Sequence, residues 1–120
     1  MKIAVPVDDK RIDSTVCMSF GRTPYFLFYD TDTKEEVYVD NNASSAQGGA
    51  GIQAAQLLAD AKCEALLTIR CGENAVDIFK AAQISVYKTQ FLTAKENIAA
   101  FEQNKLSPLT QFQRGFGGRW

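Results

Sequence analysis

Three glycines in four positions, Gly48-Gly49-Ala50-Gly51, run directly into Ile52-Gln53-Ala54-Ala55-Gln56-Leu57-Leu58, and no other stretch restricts the fold as tightly. Glycine lets the backbone take positive φ and approach another group closely. The alanines, leucines and glutamines that follow favour helix. A glycine-rich turn opening a helix leaves several backbone N–H groups without partners, aimed at whatever lies in front of them. Two readings are open at this level: an anion-binding turn, or a tight strand-to-helix turn whose glycines serve only close packing.

The rest of the chain can be laid out around this turn. Ile3, Val5 and Val7 alternate with Ala4 and Pro6, the pattern of a short strand buried on both faces. Pro6 cannot donate to a ladder and belongs near the strand's end. A polar loop should run from Asp8 to about Thr23. The aromatic run Tyr25-Phe26-Leu27-Phe28-Tyr29 reads as a core strand, and Val37-Tyr38-Val39 as its return in a hairpin. The first helix is predicted over Ala50 to Lys62, followed by the buried strand Ala65–Ile69. Ala75, Ile78, Phe79 and Ala82 form the apolar stripe of a second helix, with Phe79 facing the sheet. Ile84–Tyr87 is the last strand. Thr93-Ala94-Lys95-Glu96 has the form of a capping box opening a third helix, with Ile98 and Phe101 inward.

A hairpin followed by two helix crossovers predicts an α/β fold with a mixed sheet and helices packed on its faces. Residues 1–110 read as a single domain and 111–120, rich in glycine and arginine, as a flexible tail. The Arg/Gly/aromatic content of that tail also suits an RNA-binding tail, a weaker reading than plain disorder.

Composition narrows the function. Apolar residues make up 46% and charged residues 22%, a globular balance, and the formal net charge of −1 gives no electrostatic case for nucleic acid or an anionic membrane. No apolar run reaches membrane-spanning length, the start of the chain lacks a signal-peptide core, and three cysteines at irregular spacing make no disulfide framework; a reducing cytoplasm is expected. The absence of histidine removes the commonest metal ligand and general base. Serine triads are therefore excluded. Asp8-Asp9 lacks the further carboxylates of a metal nuclease and is read as a turn or cap.

Parallel strands end on one edge of a sheet, and ligands of open α/β sheets bind outside that edge. Asp8-Asp9, the Gly48–Gly51 turn and Arg70-Cys71-Gly72-Glu73-Asn74 should meet there, with two helix N-termini facing one hollow. Cys71, beside Arg70 at a helix start, is expected to ionise readily and offer a thiolate to a soft metal; the alternative is a small apolar filler. Cys17 could reach the same edge. Cys63 is expected as buried filler at the opposite one.

Several of these segments share one register. Ile3-Ala4-Val5-Pro6-Val7-Asp8, Phe20-Gly21-Arg22-Thr23-Pro24-Tyr25-Phe26, Gly48-Gly49-Ala50-Gly51-Ile52, Cys71-Gly72-Glu73-Asn74-Ala75 and the closing Ala94–Leu106 helix resemble the dinitrogenase iron–molybdenum cofactor biosynthesis family over roughly residues 1–110. The resemblance implies a ribonuclease H-like fold, a five-stranded mixed sheet of order 3-2-1-4-5 with the second strand antiparallel. It also implies binding or carriage of iron–sulfur or molybdenum-containing clusters and cofactor precursors, generally without catalysis, and a possible cluster-biosynthesis partner protein. Ser19 stands where the family often has histidine before Phe-Gly-Arg, and Ser44, Ser45 and Gln47 occupy a loop where histidines also occur.

The resulting expectation is a small, non-catalytic carrier for a metal cluster or anionic metal species. Backbone donors would come from Gly48, Gly49, Gly51, Gly72 and Asn74, charge from Arg22 or Arg70, and thiolate from Cys71, with Cys17 as a second candidate. The competing reading is a metal-free interaction or regulatory module using the same edge. An enzyme acting on a phosphorylated small molecule would lack an evident acid–base pair.

Overall fold

A computed structural model describes residues 1–110; the tail expected at 111–120 lies outside the described residues. The chain forms β1 (Lys2–Val7), β2 (Tyr25–Asp30), β3 (Glu36–Asp40), α1 (Ala50–Asp60), β4 (Ala65–Thr68), α2 (Val76–Ala82), β5 (Ser85–Lys88) and α3 (Ala94–Glu102). Short 3-10 turns at Asn42–Ser45 and Glu73–Ala75 precede α1 and α2. The five strands lie in the order β3-β2-β1-β4-β5. β2 is antiparallel to both neighbours, and β4 runs parallel to β1 and β5. The mixed sheet thus has the expected order and the expected antiparallel second strand.

Each face of the sheet carries its own core. Ala4, Phe26, Phe28 and Leu66 meet Ala54, Ala55 and Leu58 of α1 and Phe79 of α2 on one side. Ile3, Val5, Val7, Leu27 and Leu67 meet Ala94 and Ile98 of α3 on the other. This is the period-2 alternation of β1 read out in space: odd positions toward α3, Ala4 toward α1. Phe79 is 2% exposed, as its place in the helical stripe requires, and stands edge-on to Phe20 with ring centroids 5.5 Å apart. The capping box of α3 forms in full, with Thr93 accepting from the Glu96 N–H and the Glu96 carboxylate accepting from the Thr93 N–H.

Three local expectations are corrected. The first helix stops at Asp60 rather than Lys62, because Lys62 takes a left-handed φ of 62° that ends the helix and turns the chain toward β4. α3 ends at Glu102; Asn104, with φ 59°, breaks it before Leu106, which still reaches the core. The segment after β1 is no mere polar loop. Val16 bridges Val7, Thr15 bridges Thr93, and Phe20 is 1% exposed between Phe26 and Phe79.

Candidate functional site

β1 leads left to β2 and β3, and the chain returns through α1 to β4 on its right, so the direction of winding reverses between β1 and β4. A hollow of about 440 Å³ opens beside that reversal, on the α1/α2 face. Three segments wall it: Met18–Arg22, Gly48–Ile52 and Arg70 with Gly72, Asn74 and Ala75. Thus Gly48, Gly49, Gly51, Arg22, Arg70, Gly72 and Asn74 all line one hollow.

The glycine turn divides its labour. Gly49 caps α1 from the left-handed region, φ 69° and ψ 21°, so glycine is required there by backbone conformation. Gly48 and Gly51 have no such requirement: a Cβ built on either meets nothing within 4 Å. The first bond of α1 runs from the Gln53 N–H to the Gly49 carbonyl at 2.9 Å, so the N–H groups of Ala50, Gly51 and Ile52 precede the ladder and are open to an acceptor outside it.

Among the described residues one helix N-terminus serves the hollow, not two. α2 has seven residues and is entered through the 3-10 turn Glu73–Ala75, so no extended peptide dipole stands behind that start. The chain reaches this turn in an extended conformation at Gly72, φ −78° and ψ 154°.

Cys71 is the main correction. Its neighbours Arg70 and Gly72 line the hollow, whereas Cys71 is 0% exposed and packs in the core with Phe79 and Ala75. Burial pushes its thiol up to about 12, opposite to the predicted easy ionisation. β4 ends at Thr68, and the bend that follows leaves half-buried Arg70 at the hollow while Cys71 turns into the core of that same face. Cys17 is half-buried, and its thiol is raised by burial first, with the nearby Asp8 carboxylate adding to the shift. It lies outside the hollow's lining. Cys63 is buried as expected, its thiol raised by burial to about 11.

The acidic pair does not join the site either. Asp8 accepts from the Thr15 hydroxyl and the Asp9 N–H donates to the Ser14 hydroxyl at 3.0 Å, a turn role that keeps both beside the 10–15 segment. Their expected place is taken by Met18–Arg22, above all by Gly21. A Cβ at Gly21 would lie 2.8 Å from the Gly51 nitrogen, so this loop touches the start of α1 backbone to backbone. The signal was present in Phe20-Gly21-Arg22, where a large apolar residue and a glycine follow Val16-Cys17-Met18, a pattern that does not suit a plain polar loop.

Of the two candidate arginines, Arg22 is already engaged: its guanidinium donates to the carbonyls of Ser44 at 3.0 Å and Ala46 at 2.7 Å. Arg70 is half-buried at the hollow and has no ion-pair partner among the described residues. Ser19 is a turn residue whose hydroxyl accepts from the Arg22 N–H at 3.0 Å. Among the described residues no three His, Cys, Asp or Glu side chains gather to hold a metal ion. The donor set therefore does not suit a protein-ligated metal. Backbone N–H groups and one arginine beside open space suit an anion instead.

The family model for the dinitrogenase iron-molybdenum cofactor matches residues 1–104. An uncharacterized protein of Methanocaldococcus jannaschii is 30% identical over 109 residues, covering 88% of this chain and 89% of its own. The apo form of the orange protein from Desulfovibrio gigas superposes with a TM-score of 0.85 at 33% identity, over 90% of this chain and 92% of that one. A candidate NifB protein from Thermotoga, solved by NMR, superposes with a TM-score of 0.81 at 34% identity, over 96% and 98%. On the match to the family model and the likeness to these relatives, the chain belongs to the dinitrogenase iron-molybdenum cofactor family.

Proposed function

We propose that this protein is a small non-catalytic carrier whose cargo is an anionic metal cluster or cluster precursor, of the iron–sulfur or molybdenum-containing kind, held in the hollow at the start of α1. One observation carries the reading. Gly51 lies inside a helix, where glycine is less favourable than alanine by up to about 1 kcal/mol. Neither its packing nor its φ demands glycine; the space a Cβ would fill is empty, and the residue lines the hollow. A residue that weakens the fold and leaves room in front of unpartnered N–H groups is explained by a ligand that comes close to the backbone.

In this reading Gly48, Gly49 and Gly51 admit the cargo to the backbone donors. Arg70 supplies charge, and Gly72 and Asn74 close the far wall. Cys71 lies in the core, outside the lining, and would become a ligand only if the 70–75 segment opened. The iron–molybdenum cofactor connection comes from the family, and the relative solved in an apo form is consistent with a cargo that can be removed. The same reading takes the 3-2-1-4-5 sheet as ribonuclease H-like.

The test is anaerobic reconstitution with ferrous iron, sulfide and molybdate, then desalting and metal analysis. Gly51→Ala should retain less metal than wild type while unfolding at the same or higher denaturant concentration. A variant that is less stable and loads normally would make the glycine structural. Should wild type retain no more metal than a control protein, the carrier reading fails. The metal-free interaction module then takes its place, supported by Met18 and Ile52, which stand 59% and 43% exposed at the mouth of the hollow.

A further inference from the structure

Asn41, immediately after β3, is 4% exposed and has a fully used side chain. Its amide nitrogen donates to the carbonyls of Gly21 at 3.0 Å and Thr23 at 2.9 Å, and its oxygen accepts from the Ala43 N–H at 3.1 Å. Its backbone N–H donates to the Pro24 carbonyl at 3.0 Å. The residue between its two carbonyl partners is Arg22, which reaches outward to Ser44 and Ala46 of the same turn. Thr23 ties the loop to the sheet through a 3.0 Å bond from its hydroxyl to the Val7 carbonyl. Every one of these bonds fixes the loop that presents Gly21 to Gly51.

We infer that Asn41 is a positioning residue for the hollow, with Arg22 as its exposed brace, and that Arg70 alone of the two arginines meets the cargo. The inference rests on the carrier reading for its functional part. Asn41 does not itself line the hollow; it acts through its hydrogen bond to Gly21, which does. A site whose wall is set before the ligand arrives loses less ordering entropy on binding. Asparagine suits the task because its amide offers donors and an acceptor together. Aspartate at this position would keep the acceptor for Ala43 and, when ionised, place a second acceptor against two carbonyls. Arg22 has the reach for two carbonyls at once, and Arg22→Gln shortens it below that span.

The experiment compares wild type with Asn41→Asp, Arg22→Gln, Arg22→Lys and Arg70→Gln by two readouts. The first is the set of backbone nuclear Overhauser contacts between Gly21 and Gly51 in protein without added metal. The second is metal retained after anaerobic reconstitution with ferrous iron, sulfide and molybdate. Asn41→Asp and Arg22→Gln should lose the Gly21–Gly51 contacts and bind about tenfold or more weakly, the loss expected from one or two hydrogen bonds. Arg22→Lys should recover part of both losses, because one carbonyl remains in reach. Arg70→Gln should keep the contacts and still lose metal. Persistence of the contacts in both Asn41→Asp and Arg22→Gln, or their loss with metal retention unchanged, overturns the inference. If Asn41→Asp does not fold, Arg22→Gln decides, since its side chain is exposed and its removal leaves the core intact. If wild type retains no metal, the carrier reading falls by itself, and the Gly21–Gly51 contacts still uphold or overturn the positioning role.

Discussion

At the scale of single residues, accessibility overrides local chemistry. Cys71 sits beside an arginine and two residues before a helical turn, a setting that lowers a thiol pKa when the sulfur is solvated. Here the sulfur lies in the core and desolvation dominates, holding the thiol neutral up to about 12. The expected outcome of alkylation with iodoacetamide at pH 8 is ordered accordingly. Half-buried Cys17 should react first, while Cys63 and Cys71 should react only after unfolding. Mass spectrometry of the native protein checks this, and early modification of Cys71 would mean that the 70–75 segment opens readily.

At the scale of elements, α2 is held by one large side chain. It has seven residues, too few to be stable alone, and Phe79 is its sole fully buried residue. That ring meets Phe20, which in turn meets Phe26 of β2, so the loop bordering the hollow, α2 and the sheet share one aromatic stack. Phe79→Ala should cost about 3–5 kcal/mol in urea unfolding. Because Phe20 adjoins Gly21, the same change should also disturb the hollow, seen as shifted amide resonances at Gly21 and Gly51. α3 behaves differently: its capping box is local, and Thr93→Ala should cost about 1 kcal/mol without altering the hollow. A comparable shift of the Gly21 resonance in both variants would show that the two faces of the sheet are coupled.

At the scale of the whole molecule, the buried thiols make stability fall at alkaline pH. The pKa values of Cys63 and Cys71 are raised in the fold to about 11 and about 12, from an ordinary value of 9.0. Above that ordinary value the unfolded chain releases these protons and the folded one does not, so unfolding gains. The stabilising difference is intact below pH 9.0 and is lost as pH rises through the folded values. Urea midpoints should therefore drop from about pH 9 upward. Cys71→Ala should flatten that slope, and an unchanged slope would place the alkaline sensitivity in other groups.

What the sequence by itself determined was whatever depends on neighbours along the chain. Apolar alternation specified β1, the Ala75/Ile78/Phe79/Ala82 spacing placed α2 against the sheet, Thr93 and Glu96 specified the start of α3, and the hairpin with two crossovers led to a mixed sheet, whose order was implied by the family resemblance. The glycine turn and the end of β4 were legible as one site because parallel strands must finish on one edge. Only the tertiary structure decided which side chains of those segments are accessible. Arg70 lines the hollow while Cys71 packs with Ala75 and Phe79, because the chain bends out of the strand after Thr68 and the course it then takes is set by the elements packed around it. Arg22 is a brace because a turn twenty residues onward presents two carbonyls to it, and Gly21 matters because Gly51 lies against it. Such pairings join residues distant in sequence, and no local pattern encodes them.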